Sequence, residues 1–448
     1  MTSKTTMEDA LNKLKSFITS LEGKVDLGKQ ELEFFETGIL FGHVDEGSLT
    51  LDHEEANEYR KCLNKLYYSK EIYKQHSRKA VELLMQKTIL RALDINHKRP
   101  DKPFEDRLSE DIKELKSKLQ VHPTPWVVHM RIEGLALEGL PYKFGKVEFW
   151  IADEHNLEKL KDKHNAIVDS RTEPLETKEF LKTDFEDFIK RYFFNHPIAS
   201  VEVCACDGEA ACSAARRELR LTMDVINFYS GPDLGAQIYF VGELQPTREV
   251  LLAFETHQHS YYQLPRRIGP FALLSLKDIE PSRAEKVGFY RINEILAKDD
   301  RSQIEERILA SVQWAGRAAV KLQQRPEEAF LHYAIALETI MLGRQENKEI
   351  AYKLRMRTAL LAGETLEKRT EIKKEVRDLY DIRSEIVHSG HYEVTDADVG
   401  KISKLTIACI KRILTEKPFT SMTKEQEIDN WFDQAMLSGR LLVDDAQP

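Results

Sequence analysis

The sequence predicts a multidomain α+β chain that is mainly helical, and three observations predict it. Its 448 residues exceed one ordinary domain and make room for two or three. With 42% hydrophobic and 31% charged residues, it has the apolar content to build cores and the charge to solvate their surfaces. Apolar residues recur at helical spacing towards both ends but alternate in the middle. This divides the chain into a mostly helical region over residues 1–122, a central α+β domain over 123–288, a helical bundle over 289–418, and a tail with one helix over 419–448.

In the first region, Leu11, Leu14, Ile18 and Leu21 fall on one face of a helix over Met7–Leu21. Gly38, Gly42 and Gly47 punctuate residues 30–51, where strand and loop are both compatible with the pattern. His53–Leu93 reads as one long helical stretch. Its Arg60, Lys61, Lys65, Lys70, Lys74, Arg78 and Lys79 form a basic face, to be read either as a solvated surface or as an RNA contact. His97–Pro103 is a breaker-rich linker, and Phe104–Leu119 a further helix.

The middle region begins with Trp126–Gly134 and Gly145–Ile151, rich in β-branched and aromatic residues and separated by Gly139 and Pro141, which reads as a strand pair. A helix over Glu176–Phe194, a strand over Ala199–Cys206 and a helix over Asp207–Asn227 follow. Ala236–Glu243, Val250–Phe254 and pieces of Ser260–Leu276 are strand candidates. No phosphate loop, dinucleotide fingerprint or nucleophile elbow is present. Cys204, Cys206 and Cys212 lack the second ligand pair of a zinc site, so Cys204 and Cys206 read as inward-facing strand positions. His257 and His259 share a strand face, with no further ligand clearly completing a metal set.

The last region carries helices over Phe289–Leu296, Gln303–Lys321, Pro326–Leu342, Lys348–Leu361 and Leu366–Ser389. A helix over Asp396–Leu414 crosses the bundle, and one over Lys424–Leu437 docks elsewhere on the chain or on a second subunit. Leu379, Ile382 and Ile386 form an apolar stripe, and Gly390 suits the left-handed residue that ends a helix. Arg383 and His388 lie outside that stripe. Glu338, inside the apolar run Ala334–Leu342, needs a cation if buried, and Arg383 is the expected one; an exposed glutamate is the alternative.

Net charge is −9, so any nucleic-acid surface is a local basic patch and not a property of the whole molecule. No apolar run reaches the ~18 residues of a membrane span. The first residues lack the apolar core of a secretory signal, and five scattered cysteines make no disulfide framework, which together lead us to expect a cytoplasmic protein.

The stretch Leu-Tyr-Asp-Ile-Arg-Ser-Glu-Ile-Val-His-Ser-Gly-His over Leu379–His391 resembles the Arg-x4-His signature of HEPN domains, the helical modules named for higher eukaryotes and prokaryotes nucleotide binding. Glu327–Leu342 looks like the second helix of the Apea-like members, and Glu349–Ala362 is similar to their connecting helix, so the resemblance covers about residues 300–416. It implies a metal-independent endoribonuclease with no cofactor, antiviral or toxin-like in role, acting as a homodimer on RNA. Arg383 and His388 would be catalytic, with Ser384, Glu338 and His391 accessory. The preceding domains would then sense a trigger, such as a regulatory protein or a phage component, or hold the nuclease in check. HEPN nucleases often carry Asn, Asp or His directly after the arginine, whereas this chain has Ser384, which hydrogen-bonds but carries no charge. That departure favours the alternative of a non-catalytic dimerisation and nucleotide- or partner-binding module.

Overall fold

A computed structural model describes residues 6–22, 39–43, 47–69, 71–73, 75–95, 98–230, 237–241, 247–254, 260–268, 273–277, 279, 288–322, 325–342, 349–389 and 393–438. Among these residues the chain is mainly helical, with a small antiparallel sheet. It forms two compact units, Met1–Val128 with Glu202–Arg217, and His129–Val201 with Glu218–Pro448.

The first unit holds α1 (Met7–Leu21), the hairpin β1 (Ile39–His43) and β2 (Gly47–Leu51), α2 (His53–Tyr67), α3 (Arg78–Leu93) and α4 (Phe104–Leu119). Thr6 caps α1 in a reciprocal box with Asp9, and the four leucine and isoleucine positions expected on one face are all buried. They join Tyr59, Leu63, Val81, Met85, Leu108 and Leu115 in one core. The long helix expected over His53–Leu93 is two helices. Ser69 bonds back to the Leu66 carbonyl, and Ser77 restarts the helix by accepting from the Ala80 amide at 3.0 Å. The basic residues expected on one helix are therefore divided between two, Arg60, Lys61 and Lys65 on α2 and Arg78 and Lys79 on α3. Lys61 is held by Glu58 at 2.6 Å, and Lys70 and Lys74 lie outside the described residues. The linker, described from residue 98, is anchored by Arg99, which reaches the buried Asp111 carboxylate at 2.7 Å.

A five-stranded sheet, in which β3 and β6 each belong in part to both units, has the order β4–β5–β6–β3–β7, from β3 (Thr124–Glu133), β4 (Tyr142–Phe144), β5 (Val147–Ile151), β6 (Pro197–Ala205) and β7 (Tyr239–Phe240). The two strands expected to pair with each other do not: β6 lies between them, with Phe149 of β5 opposite Ala199. A separate hairpin joins β8 (Thr247–Phe254) to β9 (Ser260–Ile268). Helix α6 (Leu175–Tyr192) lies where a helix is expected; α5 (Glu154–Asp169), which Asp153 caps by accepting from the Asn156 amide at 2.8 Å, was not expected. Helix α7 (Gly208–Ser230) follows β6.

The described residues of the second unit from Phe289 on are mainly helical: α8 (Phe289–Ala297), α9 (Gln303–Lys321), α10 (Pro326–Met341), α11 (Ile350–Ala362), α12 (Leu366–Ser389), α13 (Asp396–Thr415) and α14 (Glu425–Ser438). Helix α9 packs on α10, α10 on α13, and α11 on α12. Gly316 is where α9 meets α7: a Cβ there would lie 1.8 Å from the Asp224 carbonyl oxygen, so only glycine permits the approach. The tail helix α14 docks on its own bundle. Ile428, Trp431, Phe432 and Ala435 are buried, and Asp429 meets the fully buried Arg357 guanidinium at 3.0 Å. Arg357 also donates to the Met341 carbonyl at 2.8 Å, tying the end of α10 to α11 and α14. No helix of the described residues is long and apolar enough to cross a membrane.

Candidate functional site

Helix α12 starts with Thr365, whose hydroxyl accepts from the Lys368 amide at 3.2 Å, and runs without a break to Ser389. Its buried positions are Ile372, Val376 and Leu379, at the i, i+4, i+7 spacing of one helical face. Of the stripe expected near its end only Leu379 is buried; Ile382 and Ile386 are half-buried, because the core contact lies further towards the N-terminus of the helix.

Past the end of that stripe sits Arg383. Its Nε lies 3.1 Å from Glu338 Oε1, and its Nη2 donates to Glu338 Oε2 at 3.4 Å. The expected pair between α10 and α12 is therefore present. The side chains keep 27% and 20% of their surface exposed, so this is a wall of the surface and not a core ion pair. Burial pushes the Glu338 carboxyl above its ordinary range, against the pull of the guanidinium. The Arg383 guanidinium also approaches the Tyr380 ring, 6.0 Å from its centre. Leu337, Leu354, Leu379 and Ile402 surround the pair and leave a crevice of only ≈ 10 Å³, about one water. Nothing larger fits beside the pair, so a ligand must approach from outside.

Ser384 is half-buried next in the chain, and His388 is exposed in the last turn. Among the described residues the His388 imidazole has no hydrogen-bond or ion-pair partner. Asp381 and Glu385 are exposed and do not take Arg383, which has chosen Glu338 instead. Five residues of helix turn ~140° and rise ~7.5 Å, so Arg383 and His388 of one chain point to different sides. Gly390 and His391 lie outside the described residues.

Sequence reasoning missed the residues flanking this pair. Tyr352 and Arg355 on α11, with Tyr380 on α12, line an open cleft of ≈ 590 Å³. The signal was the i, i+3 spacing of tyrosine and arginine on both helices, but that these helices face each other is a tertiary fact. A second trough of ≈ 410 Å³ along α12 and α13 mixes Lys368, Lys374 and Lys401 with Glu371, Glu375, Asp378 and Asp398. Its carboxylates outnumber its lysines, which disfavours a polyanion.

Among the described residues, the remaining candidates are not gathered into a site. Cys204 is exposed and Cys206 half-buried, contrary to the inward placing: at this end of β6 Ala205 is the buried position, and Cys204 beside it falls on the opposite face. His257 and His259 lie outside the described residues. No group of three His, Cys, Asp or Glu side chains placed to hold a metal ion occurs among the described residues. Compared with protein-family models, curated proteins and solved structures, the chain matches none.

Proposed function

We propose that the C-terminal bundle is a HEPN-type module that cleaves RNA without a metal ion, with Arg383 and His388 as its catalytic residues. The observation that carries the reading is the Glu338–Arg383 pair. A partly exposed carboxylate holds the guanidinium through one edge, at 3.1 and 3.4 Å. Five donors fan out from a guanidinium, so the remaining edge can meet a phosphate oxygen while the first stays bound. Glu338 acts here as a positioning residue. His388, exposed one and a half turns further on, supplies the imidazole that takes the 2′-hydroxyl proton. Attack of that oxygen on the adjacent phosphorus expels the 5′-oxygen, to which the imidazolium gives a proton, leaving a 2′,3′-cyclic phosphate and a 5′-hydroxyl. Arg383 offsets the charge of the pentacoordinate species. Because one helix turns the two side chains apart, the working site takes Arg383 from one copy and His388 from a second. The N-terminal helices and the central sheet would restrain or trigger the module.

A second reading has its own support. Ser384 carries no charge, and Arg383 already has a carboxylate, as suits a module that binds nucleotide or a partner without cleaving. Incubating the protein with tRNA and total RNA in EDTA, beside Arg383→Ala and His388→Ala, separates the two. Wild-type cleavage that both variants lose supports the nuclease; equal cleavage by all three removes the site assigned here; binding without cleavage selects the second reading.

A further inference from the structure

We infer that the cleft between α11 and α12 is a subsite for a single unpaired nucleobase, an inference that rests on the RNA reading of the Arg383 wall. The walls are chemically specific. Tyr352 of α11 keeps 47% of its surface exposed, and the half-buried Tyr380 of α12 lines the same cleft. Exposed tyrosine rings lining a cleft offer flat π faces on which any base can stack. The open space of ≈ 590 Å³ falls within the span of roughly 300–1,000 Å³ common to small-ligand sites, in contrast to the one-water crevice beside Glu338.

The charges fit the same occupant. Arg355 bonds to its own helix through Nε, donating to the Ala351 carbonyl at 3.1 Å, and among the described residues no carboxylate pairs with it. Its outer nitrogens are thus available to the phosphate that follows a stacked base. Tyr380 sits three residues before Arg383, with that guanidinium 6.0 Å from its ring centre, so cleft and wall are continuous along α12. Glu349 also lines the cleft. A carboxylate there repels a bare polyanion but accepts from the exocyclic amino group of a base, so the site prefers a base joined to a phosphodiester over inorganic phosphate. A duplex cannot enter, since its bases are stacked on one another.

The same chemistry could come from a free mononucleotide or from a single RNA strand, and we assign the strand because the cleft continues into the Arg383 wall. The test uses the full chain, a fluorescently labelled single-stranded oligoribonucleotide, the same sequence as a duplex, and AMP, with anisotropy and competition as readouts. Tyr352→Ala changes an exposed side chain and should weaken single-strand binding roughly 5- to 150-fold, the span for one stacked base, while Tyr352→Phe keeps the ring and the affinity. The duplex should bind weakly and equally to both variants. Unchanged single-strand affinity in Tyr352→Ala overturns the cleft assignment and leaves the RNA reading standing. Tyr352-dependent binding of AMP without binding of the strand overturns the RNA reading and makes the cleft a mononucleotide site. Absence of binding by both ligands overturns the two together.

Discussion

A planar guanidinium differs from an ammonium in having two edges, and Arg383 uses one of them on Glu338. Arg383→Lys keeps the charge but cannot hold a carboxylate and a phosphate in one plane. We expect it to lose most RNA cleavage, as measured by gel assay at equal folded concentration; activity near the wild-type level would contradict the role given to the fork. Glu338 permits a second test, through proton linkage. Its carboxyl binds a proton more tightly in the folded chain than the ordinary value of 4.5 implies. A raised native value stabilises the fold below that pH and gives the stability up as pH rises from 4.5 through the raised value. Glu338→Gln does not titrate, so thermal melts across pH should show wild type losing ground to the variant above pH 4.5. A gap that stays constant with pH would refute the assigned environment. The Glu338–Arg383 pair was legible in the sequence, since a carboxylate in an apolar run needs a cation and Arg383 was within reach of the bundle.

At the scale of the element, α12 separates stability from chemistry. Leu379 is buried, Ile386 half-buried and His388 exposed. Leu379→Ala should cost about 2–5 kcal/mol in chemical denaturation, Ile386→Ala clearly less, and His388→Ala close to nothing while ending RNA cleavage. An Ile386→Ala cost equal to that of Leu379→Ala would show that the stripe extends to the end of the helix after all. Helices such as α1 and α9 were readable almost to the residue because each begins with a capping box, Thr6 with Asp9 and Ser302 with Glu305, and then keeps a clear stripe. The break between α2 and α3 was not, because it is made by serine hydroxyls, without proline or glycine. Nor was the partner of β5, because β6 arrives after two intervening helices, and strand alternation names a face but no neighbour. The tyrosine cleft was hidden for the same reason: each helix carries half of it.

Across the whole molecule, the proposed site takes Arg383 and His388, ~140° apart on one helix, from two copies. Light scattering at micromolar concentration should give the mass of a dimer, and a monomer that still cleaves RNA would remove the shared-site arrangement. The α14 docking described above has a consequence for how the chain is made. Arg357 leaves the ribosome ahead of Asp429, which follows 72 residues later. At elongation rates of about 5–20 residues per second, that interval lasts roughly 4–14 s, during which α11 exists and its acidic clasp does not. A guanidinium enclosed without that carboxylate is unfavourable, so the nascent bundle has reason to stay loosely packed until α14 emerges. The C-terminal bundle would then be finished last, and a ribosome stalled before residue 425 would release a chain whose α11 lacks its clasp.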